Sequence, residues 1–149
     1  MIVAAQPLDA KKLTEIALQS KAYRGYSAVQ IESWKEELTI TTKMFEHSVI
    51  HTYLIDTEIA GFNILENTQP HSASLAFLFV APQFIKQGIG KQLVVHAIEY
   101  SRKNNYTFLK VLSDPNAAGF YKKYGFKVIS QKQSSIAGRF LPAMELRLS

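Results

Sequence analysis

The chain has 149 residues, of which 47% are hydrophobic and 19% are charged. This length and composition fit one globular domain over residues 1–149 and exclude a disordered chain. The chain has no cysteine, which excludes disulfides and thiol chemistry and favours a cytoplasmic protein. The net charge is +5, but the positive residues are spread along the chain rather than clustered, which argues against a nucleic-acid partner.

The sequence also argues against a membrane partner. The longest apolar run, "LAFLFVAPQFI", is interrupted by Pro82 and Gln83 and is shorter than the ~18 residues that span a bilayer. The first residues, "MIVAAQPLD", lack the basic region of a signal peptide, so we expect no secretion signal.

The first third of the chain predicts a short strand and two helices. "IVAAQP" opens as a strand, and Asp9 is the expected N-cap of the first helix, with Leu8 and Leu13 as a hydrophobic staple. Ser27 and Gln30 form a capping box for the second helix. The predicted buried faces of the two helices are Leu13, Ile16, Ala17 and Ser20, and then Ile31, Trp34 and Leu38.

From residue 49 the hydrophobic period becomes that of strands. "VIHTYLID" and "IAGFNILE" predict a hairpin joined at "TE", and "SASLAFLFVA" is apolar on both faces, which is typical of a strand inside a sheet. A helix follows, with a stripe at Leu93, Val94, Ala97, Ile98 and Ser101. The chain therefore reads as a mixed α/β (α+β) fold.

The last third predicts a buried strand, a short helix and two closing strands. The strand is "FLKVLS"; Asp114 and Pro115 then open a helix through "NAAGFYKKY", with Gly125 as its C-cap. "FKVISQKQ" and "RFLPAMELRL" are the closing strands, and edge strands at this end leave a homodimer open.

Residues 86–93, "KQGIGKQL", lie between a buried strand and a helix. Gly88 and Gly90 let the backbone come close to an anion there, the helix start offers unpaired amides, and Lys86 and Lys91 add attraction, so a pyrophosphate is the natural ligand. A Walker loop would need Ser or Thr after Lys91, and the dinucleotide fingerprint would need glycine at Leu93, so both are excluded. A glycine turn without a ligand stays open as the alternative.

"VAPQFIKQGIGKQL", followed by "DPNAAGFYKKYGF", resembles the GNAT superfamily of N-acetyltransferases. The resemblance covers most of the chain and is densest between Leu75 and Phe126. It implies a mixed, mostly antiparallel central sheet flanked by helices, with acetyl-CoA bound where two central parallel strands splay apart. It also implies residues that bind acetyl-CoA: Leu78, Phe79, Val80, Lys86, Gln87, Gly88, Ile89, Gly90, Lys91, Asn116 and Phe120.

Two positions depart from the family pattern. Ile85 stands three residues before Gly88, where the family often has Gln or Arg; because backbone amides bind most of the pyrophosphate, the effect should be modest. Asp114 stands seven residues before Tyr121, where many members have Asn. Either Asp114 or the nearby Asn116 takes the role of that Asn.

Tyr121 matches the family's tyrosine that faces the sulfur of CoA, and it is the predicted catalytic residue. A phenol with an ordinary pKa of about 10 is protonated at neutral pH and can donate to the departing thiolate. Backbone amides of Phe79 and Val80 would polarise the thioester carbonyl. The alternative is that Tyr121 is a core aromatic packed beside Phe120 and Phe126.

The general base is not identified by the sequence. Its candidates are Glu66 and His71 before the central strand, Glu32 and Glu36 on the second helix, or water alone. His47, His51 and His96 show no metal-ligand spacing, so no metal is expected.

The acceptor is a small-molecule or a peptide amine. In this family the pocket for it is lined by the region of Tyr23, Tyr26 and Trp34, and aromatic rings there suit an apolar or cationic amine. The alternative for Trp34 is packing of the second helix. "GRFLP", residues 138–142, is expected to shape a loop over the entrance, with Arg139 as an anion contact.

Together these residues predict an enzyme that moves an acetyl group from acetyl-CoA to a primary amine by direct attack in a ternary complex. Two alternatives stay open. One is a domain of the same fold that binds CoA as a sensor without turnover. The other is a basic nucleic-acid-binding domain, which only the +5 charge supports.

Overall fold

The computed structural model describes residues 1–134 and 138–148, apart from the side chain of Thr68. Its four α-helices are α1 (Ala10–Tyr23), α2 (Ala28–Leu38), α3 (Ile89–Lys103) and α4 (Ala118–Lys122). Its seven strands are β1 (Ile2–Ala4), β2 (Ser48–Ile55), β3 (Glu58–Gln69), β4 (Ser72–Val80), β5 (Phe108–Leu112), β6 (Lys127–Gln133) and β7 (Phe140–Arg147). Within the described residues, no helix is long and apolar enough to cross a bilayer.

The strands form one sheet in the order β1-β2-β3-β4-β5-β7-β6, flanked by helices. The neighbours β1 and β2, β5 and β7, and β6 and β7 are antiparallel, and β4 is parallel to β5, as the crossover through α3 requires. The parallel ladder joins Ser72–Ser74 to Phe108–Lys110, and both strands continue beyond it. The mixed, mostly antiparallel sheet with splayed central strands is therefore confirmed.

The contacts divide the chain into two compact units, each with its own buried residues. The first unit is Met1–Leu65 with Phe77–His96, and the second is Glu66–Ala76 with Ala97–Ser149. Largest among the fully buried side chains of the first are Phe62, Leu13, Ile16 and Ile64, and of the second Leu109 and Met144. The single domain over residues 1–149 stays a prediction.

The predicted elements are present, with corrections at two helix ends. Asp9 is the residue before α1, but its carboxylate accepts from the Gln6 amide at 2.9 Å and makes no cap bond to α1. The staple is wrong, because the 3-10 turn Pro7–Asp9 leaves 80% of Leu8 exposed. At the other end of the chain, α4 is capped by Lys123, and Gly125 follows with a φ of 96°.

The predicted hairpin also forms, with its turn one residue earlier than expected. The strands β2 and β3 are joined at residues 56–57, and Asp56 has a φ of 55°, a conformation that Asp and Asn adopt more readily than most residues. The capping box of α2 forms as predicted: the Gln30 amide donates to Ser27 Oγ at 3.2 Å, and the Ser27 amide donates to Gln30 Oε1 at 3.2 Å.

Candidate active site

In the first unit, an exposed loop joins β4 to α3. After the 3-10 turn Pro82–Phe84, the chain passes through residues 86–88 in the open, and Lys86 and Gly88 have φ angles of 69° and 77°. Such angles are costly for a residue with a side chain, so the lysine is held in a strained conformation. A Cβ added to Gly88 would meet nothing within 4 Å, so the glycine faces open space.

The first turn of α3 presents backbone amides next to this loop. The Gln92 amide donates to the Gly88 carbonyl at 3.1 Å, so the amides before it precede the first intrahelical bond. Together with the positive end of the helix dipole they suit an anion. Of the residues predicted to bind acetyl-CoA, Ile89 is 2% exposed and packs in the core with Ala60 and Leu93, so only its amide is available.

The end of β4 has two different faces. Leu78 and Val80 pack against the cluster around Ile89, whereas the ring of Phe79 lies 6.0 Å from that of Phe62 on the other face. The Ala81 amide donates to the Ala60 carbonyl of β3 at 2.8 Å. Because successive amides of a strand alternate in direction, the Phe79 amide also faces β3, and those of Leu78 and Val80 face away. Contrary to the prediction from the sequence, the Phe79 amide is therefore not available to the thioester carbonyl, whereas that of Val80 is.

Two buried residues that the sequence did not single out hold β3, β4 and α3 together. A Cβ on Gly61 would lie 2.8 Å from the Phe79 carbonyl oxygen and 3.1 Å from Leu93 Cδ1. Asn63 is fully buried, and its Nδ2 donates to the Leu93 carbonyl at 2.9 Å. A glycine and an asparagine inside an otherwise apolar strand were the available signals for this close approach.

The aromatic residues near α1 and α2 do not all lie together. The rings of Tyr26 and Trp34 meet edge to face with centroids 4.9 Å apart, and Trp34 is buried. Tyr23, which was grouped with them, is 60% exposed. Lys21, which no pattern in the sequence marked, lies beside these rings: its Nζ is 5.4 Å from the centroids of Tyr26 and Trp34 and 6.0 Å from that of Phe79.

In the second unit, Tyr121 is both buried and part of an aromatic cluster. It is 7% exposed, and its ring lies 5.2 Å from that of Phe120 and 5.5 Å from that of Phe126. The amides of Tyr124 and Phe126 both donate to the Tyr121 carbonyl, at 3.0 and 3.4 Å, which closes the turn after α4. The packing of Tyr121 beside Phe120 and Phe126, which was the alternative, is therefore present. Its role as the catalytic residue stays a prediction.

Asp114, at the position where the family resemblance predicts Asn, has its own partners in the second unit. Its Oδ1 accepts from the Asn116 amide at 2.9 Å, and its Oδ2 accepts from Arg139 Nη2 at 2.9 Å, with both side chains largely buried. The Asn116 residue itself is exposed. Arg139 is therefore paired with a carboxylate of the same chain, and its contact with an anion at the acceptor entrance stays a prediction.

Of residues 138–142, those from Phe140 onward belong to β7, which agrees with the predicted closing strand from Arg139 and limits the predicted loop to the residues before it. Pro142 is tolerated in β7 for a specific reason. The ladder with β5 ends at Leu112 and Ala143, so the missing N–H of Pro142 falls beyond the last pair, while its carbonyl accepts from the Ser113 amide at 2.9 Å.

The second unit has a cavity of about 320 Å³ that is lined by one of the four candidate general bases. Its lining includes Glu66, Ser74, Ala76, Lys110, Ile129 and Met144. Glu66 is half-buried, whereas Glu32, Glu36 and His71 are exposed and do not line it. The positive charge of Lys110 is paired with the carboxylate of Glu145; the Lys110 Nζ and Glu145 Oε2 atoms lie 3.9 Å apart.

The structure brings together two histidines that are far apart in sequence. The rings of His51 on β2 and His96 on α3 have centroids 4.5 Å apart. Burial, and then the charge of His96, lower the pKa of His51 below 6.5. Among the described residues, no group of three or more His, Cys, Asp and Glu side chains could hold a metal ion.

Comparison with known proteins gives consistent relatives. The chain is 38% identical to the peptidyl-lysine N-acetyltransferase YjaB of Salmonella typhimurium over 89 residues, which are 60% of this chain and 57% of that protein. It is 28% identical to an uncharacterized N-acetyltransferase of Bacillus subtilis, YvbK, over 92 residues, 60% of this chain and 59% of that protein. In both, the match spans less than two thirds of the relative.

The fold matches along the whole chain. The PaiA N-acetyltransferase of Thermoplasma acidophilum, solved in complex with coenzyme A, superposes with a TM-score of 0.79 and 25% identity, covering 99% of this chain and 98% of that one. The family model of the acetyltransferase (GNAT) domain matches residues 12–148. This chain belongs to the GNAT acetyltransferase family.

Proposed function

We propose that this chain is an acetyl-CoA-dependent N-acetyltransferase whose acceptor is a primary amine. The observation that carries the proposal is the exposed loop at residues 86–88, with Lys86 and Gly88 in the left-handed conformation directly before α3. In a chain of the GNAT family this is a site for the pyrophosphate of a CoA thioester. The binding of coenzyme A by the PaiA relative supports the same donor.

The donor would be bound mainly by backbone. Amides of residues 86–91 would bind the pyrophosphate, and the exposed Lys86 and Lys91 would add attraction. The amides of Leu78 and Val80, which face away from β3, would bind the pantetheine arm and polarise the thioester carbonyl. Asn116 would take the role of the family's Asn, because Asp114 is already bound to the Asn116 amide and to Arg139.

Acetyl-CoA supplies an acetyl group already activated as a thioester. The neutral amine nitrogen attacks the carbonyl carbon, the C–N bond forms, and the C–S bond breaks. Tyr121 donates its hydroxyl proton to the departing thiolate, so that CoA leaves as a thiol. The new amide nitrogen loses its extra proton, which restores the hydroxyl of Tyr121. The side chain supports this role through its position in the helix after Asp114 and its fixed ring. No covalent intermediate with the protein is needed.

An amine that arrives protonated must first lose a proton, because an ammonium has no lone pair to attack with. We assign this step to Glu66, the one candidate among the four that lines the cavity of the second unit. The relative YjaB, a peptidyl-lysine N-acetyltransferase, favours a lysine side chain as the acceptor, with a small amine as the alternative. The cytoplasmic location and a homodimer through the exposed edge strand β6 stay predictions.

The test combines binding with turnover in the same preparation. Calorimetric titration measures acetyl-CoA binding, and a thiol reagent then follows release of CoA with a lysine-containing peptide and with small amines. Because the chain has no cysteine, the reagent reports released CoA alone. We expect binding and amine-dependent release. Binding without release from any amine would favour the sensor, and no binding would contradict the proposal.

A further inference from the structure

Three aromatic rings surround one ammonium group in the first unit. Lys21 Nζ lies 5.4 Å from the ring centroid of Tyr26, 5.4 Å from that of Trp34 and 6.0 Å from that of Phe79. A cation within about 6 Å of a ring centroid is attracted by the negative face of the ring. We call Tyr26, Trp34 and Phe79 the aromatic cage.

The cage is assembled from separate parts of the chain. Tyr26 follows α1, Trp34 lies on α2, and Phe79 lies near the end of β4, so the rings meet only in the folded unit. Trp34 is 8% exposed and is held against Tyr26 edge to face, at an interplanar angle of 81°. Several aromatic faces around one position are the arrangement that proteins use to recognise organic ammonium ions.

Lys21 differs from the rings in how firmly it is held. Its side chain is flexible, and the residue is only half-buried. Holding this side chain in one place costs conformational entropy, whereas Trp34 and Phe79 are fixed by the helix and the strand that carry them. A flexible internal cation in a site built of fixed rings is a group that an external cation can displace.

The cage lies next to the part of β4 that we assign to the acetyl donor. Phe79 stands between Leu78 and Val80, whose amides would bind the thioester end of acetyl-CoA, and its ring points to the other face of the strand. A group bound in the cage would therefore lie one residue along the strand from those amides.

We propose that the aromatic cage binds an organic ammonium group of the acceptor, and that Lys21 occupies the cage until the acceptor displaces it. That the bound group belongs to an acceptor rests on the proposed function, whereas the binding of an ammonium group in the cage does not. Because a charged nitrogen cannot attack the thioester, the acceptor carries a second amine, which is neutral when it reacts. Of the two acceptors considered above, the cage therefore selects the small amine over a lysine side chain: a diamine, or another amine with an additional fixed positive charge.

Displacement makes a quantitative prediction. A side chain tethered beside its site competes at an effective concentration in the millimolar range, so an external ammonium ion binds the unmodified chain weakly. Removing the Lys21 side chain removes this competitor. Lys21→Ala should lower the dissociation constant of a simple ammonium ion by about tenfold or more.

The chain provides its own probe for this measurement, because Trp34 is the only tryptophan. Tetramethylammonium chloride is titrated into the full chain while Trp34 fluorescence is recorded, with sodium chloride at equal ionic strength as the blank. The matched control is Lys11→Ala, which removes an exposed lysine of α1 outside the cage. We expect saturable binding that is tighter in Lys21→Ala than in the unmodified chain and unchanged in Lys11→Ala.

A second substitution tests the rings. Tyr26→Ala, added to Lys21→Ala, removes one of the three rings and should weaken tetramethylammonium binding about three- to tenfold. Equal or weaker binding in Lys21→Ala than in the unmodified chain would overturn the proposal, and so would no effect of Tyr26→Ala. If Lys21→Ala does not fold, Lys21→Gln, which removes the charge but keeps most of the side chain, is held to the same two criteria.

Turnover separates this inference from the proposed function. (2-Aminoethyl)trimethylammonium and 3,3-dimethylbutylamine have the same shape and differ in charge; rates are compared per neutral amine. We expect kcat/KM about tenfold higher for the cationic amine. Equal rates with both amines would contradict the inference about the cage but would still support the proposed acetyltransferase activity. Binding of tetramethylammonium without binding of acetyl-CoA would support the cage and contradict the proposed acetyltransferase activity.

Discussion

The residues proposed to act in the first unit and those in the second differ in physical kind. In the first unit the proposed donor contacts are backbone amides of β4 and of the turn before α3, and side chains matter mainly where glycine makes room. In the second unit the proposed contributions are side chains: the Tyr121 hydroxyl, the Asn116 amide and the Glu66 carboxylate. A backbone site leaves a signal in the sequence because it needs glycine, whereas a buried tyrosine has the same appearance in a core as in an active site.

The largest expected effect is a fall in kcat when the proposed side-chain donor of the second unit, Tyr121, is changed. Tyr121→Phe removes one oxygen and keeps the ring in its cluster, so kcat should fall about 100-fold while the dissociation constant of acetyl-CoA changes less than about twofold. Steady-state kinetics and calorimetry measure the two quantities. Tyr124→Phe, which removes a hydroxyl from a half-buried neighbour, is the control and should keep its activity. Equal activity of Tyr121→Phe and the unmodified chain would make Tyr121 a packing residue only.

The next largest expected effect is a loss of stability in the first unit, where glycine makes room for the backbone of β4. Gly61→Ala would place a Cβ 2.8 Å from the Phe79 carbonyl oxygen, which is fixed in β4, and should lower the free energy of unfolding by about 2 kcal/mol. Gly119→Ala, with nothing within 4 Å of the added Cβ, should stabilise the helix by up to about 1 kcal/mol. Urea unfolding gives both values. Similar free energies of unfolding in the two variants would contradict the tight contact of β3 with β4, because it would mean that the two strands move apart without loss of stability.

A smaller effect tests how the chain replaces the family's Asn. Asp114→Asn keeps an oxygen for the Asn116 amide but loses the charge that binds Arg139, so the free energy of unfolding should fall by about 1 to 2 kcal/mol. Acetyl-CoA affinity should stay the same if Asn116 makes the CoA contact. A marked gain in affinity would mean that position 114 itself contacts CoA in this family, and our choice of Asn116 would be wrong.

The smallest effect is on the pH dependence of stability in the first unit. Burial and the charge of His96 lower the pKa of His51, so between that lowered value and 6.5 the unfolded chain binds more protons than the folded chain. Stability should therefore fall as the pH falls through this window. In His51→Gln, the loss of stability between about pH 7.5 and about pH 5.5 should be smaller, as urea unfolding at each pH would show. An equal loss in both proteins would exclude the histidine pair as its source.

Local patterns were enough to predict most of the fold. The stripe from Leu93 to Ser101 is buried as expected in α3, and the glycine spacing located the loop before it. Both are signals within one element, where side-chain period and backbone freedom act over a few residues. The same holds for the capping box of Ser27 and Gln30.

What the sequence did not show depends on contacts between distant elements. Lys21 gave no signal in the sequence, because its position beside the rings of Trp34 and Phe79 exists only once α2 and β4 have folded beside it. His51 and His96 come together in the same way, across β2 and α3. Pro142 lies inside a predicted strand, and the end of the ladder with β5 explains why that strand accepts a proline.

The central claim is that the glycine loop before α3 binds the pyrophosphate of acetyl-CoA, and calorimetry on two valine variants tests it most directly. Gly88→Val and Gly25→Val impose the same kind of strain, because their φ angles are 77° and 89° and an added Cβ at either meets nothing within 4 Å. Only the first valine would stand where the phosphate binds. We predict that Gly88→Val raises the dissociation constant of acetyl-CoA at least about 30-fold while Gly25→Val leaves it unchanged. Equal affinity in both variants would contradict the account.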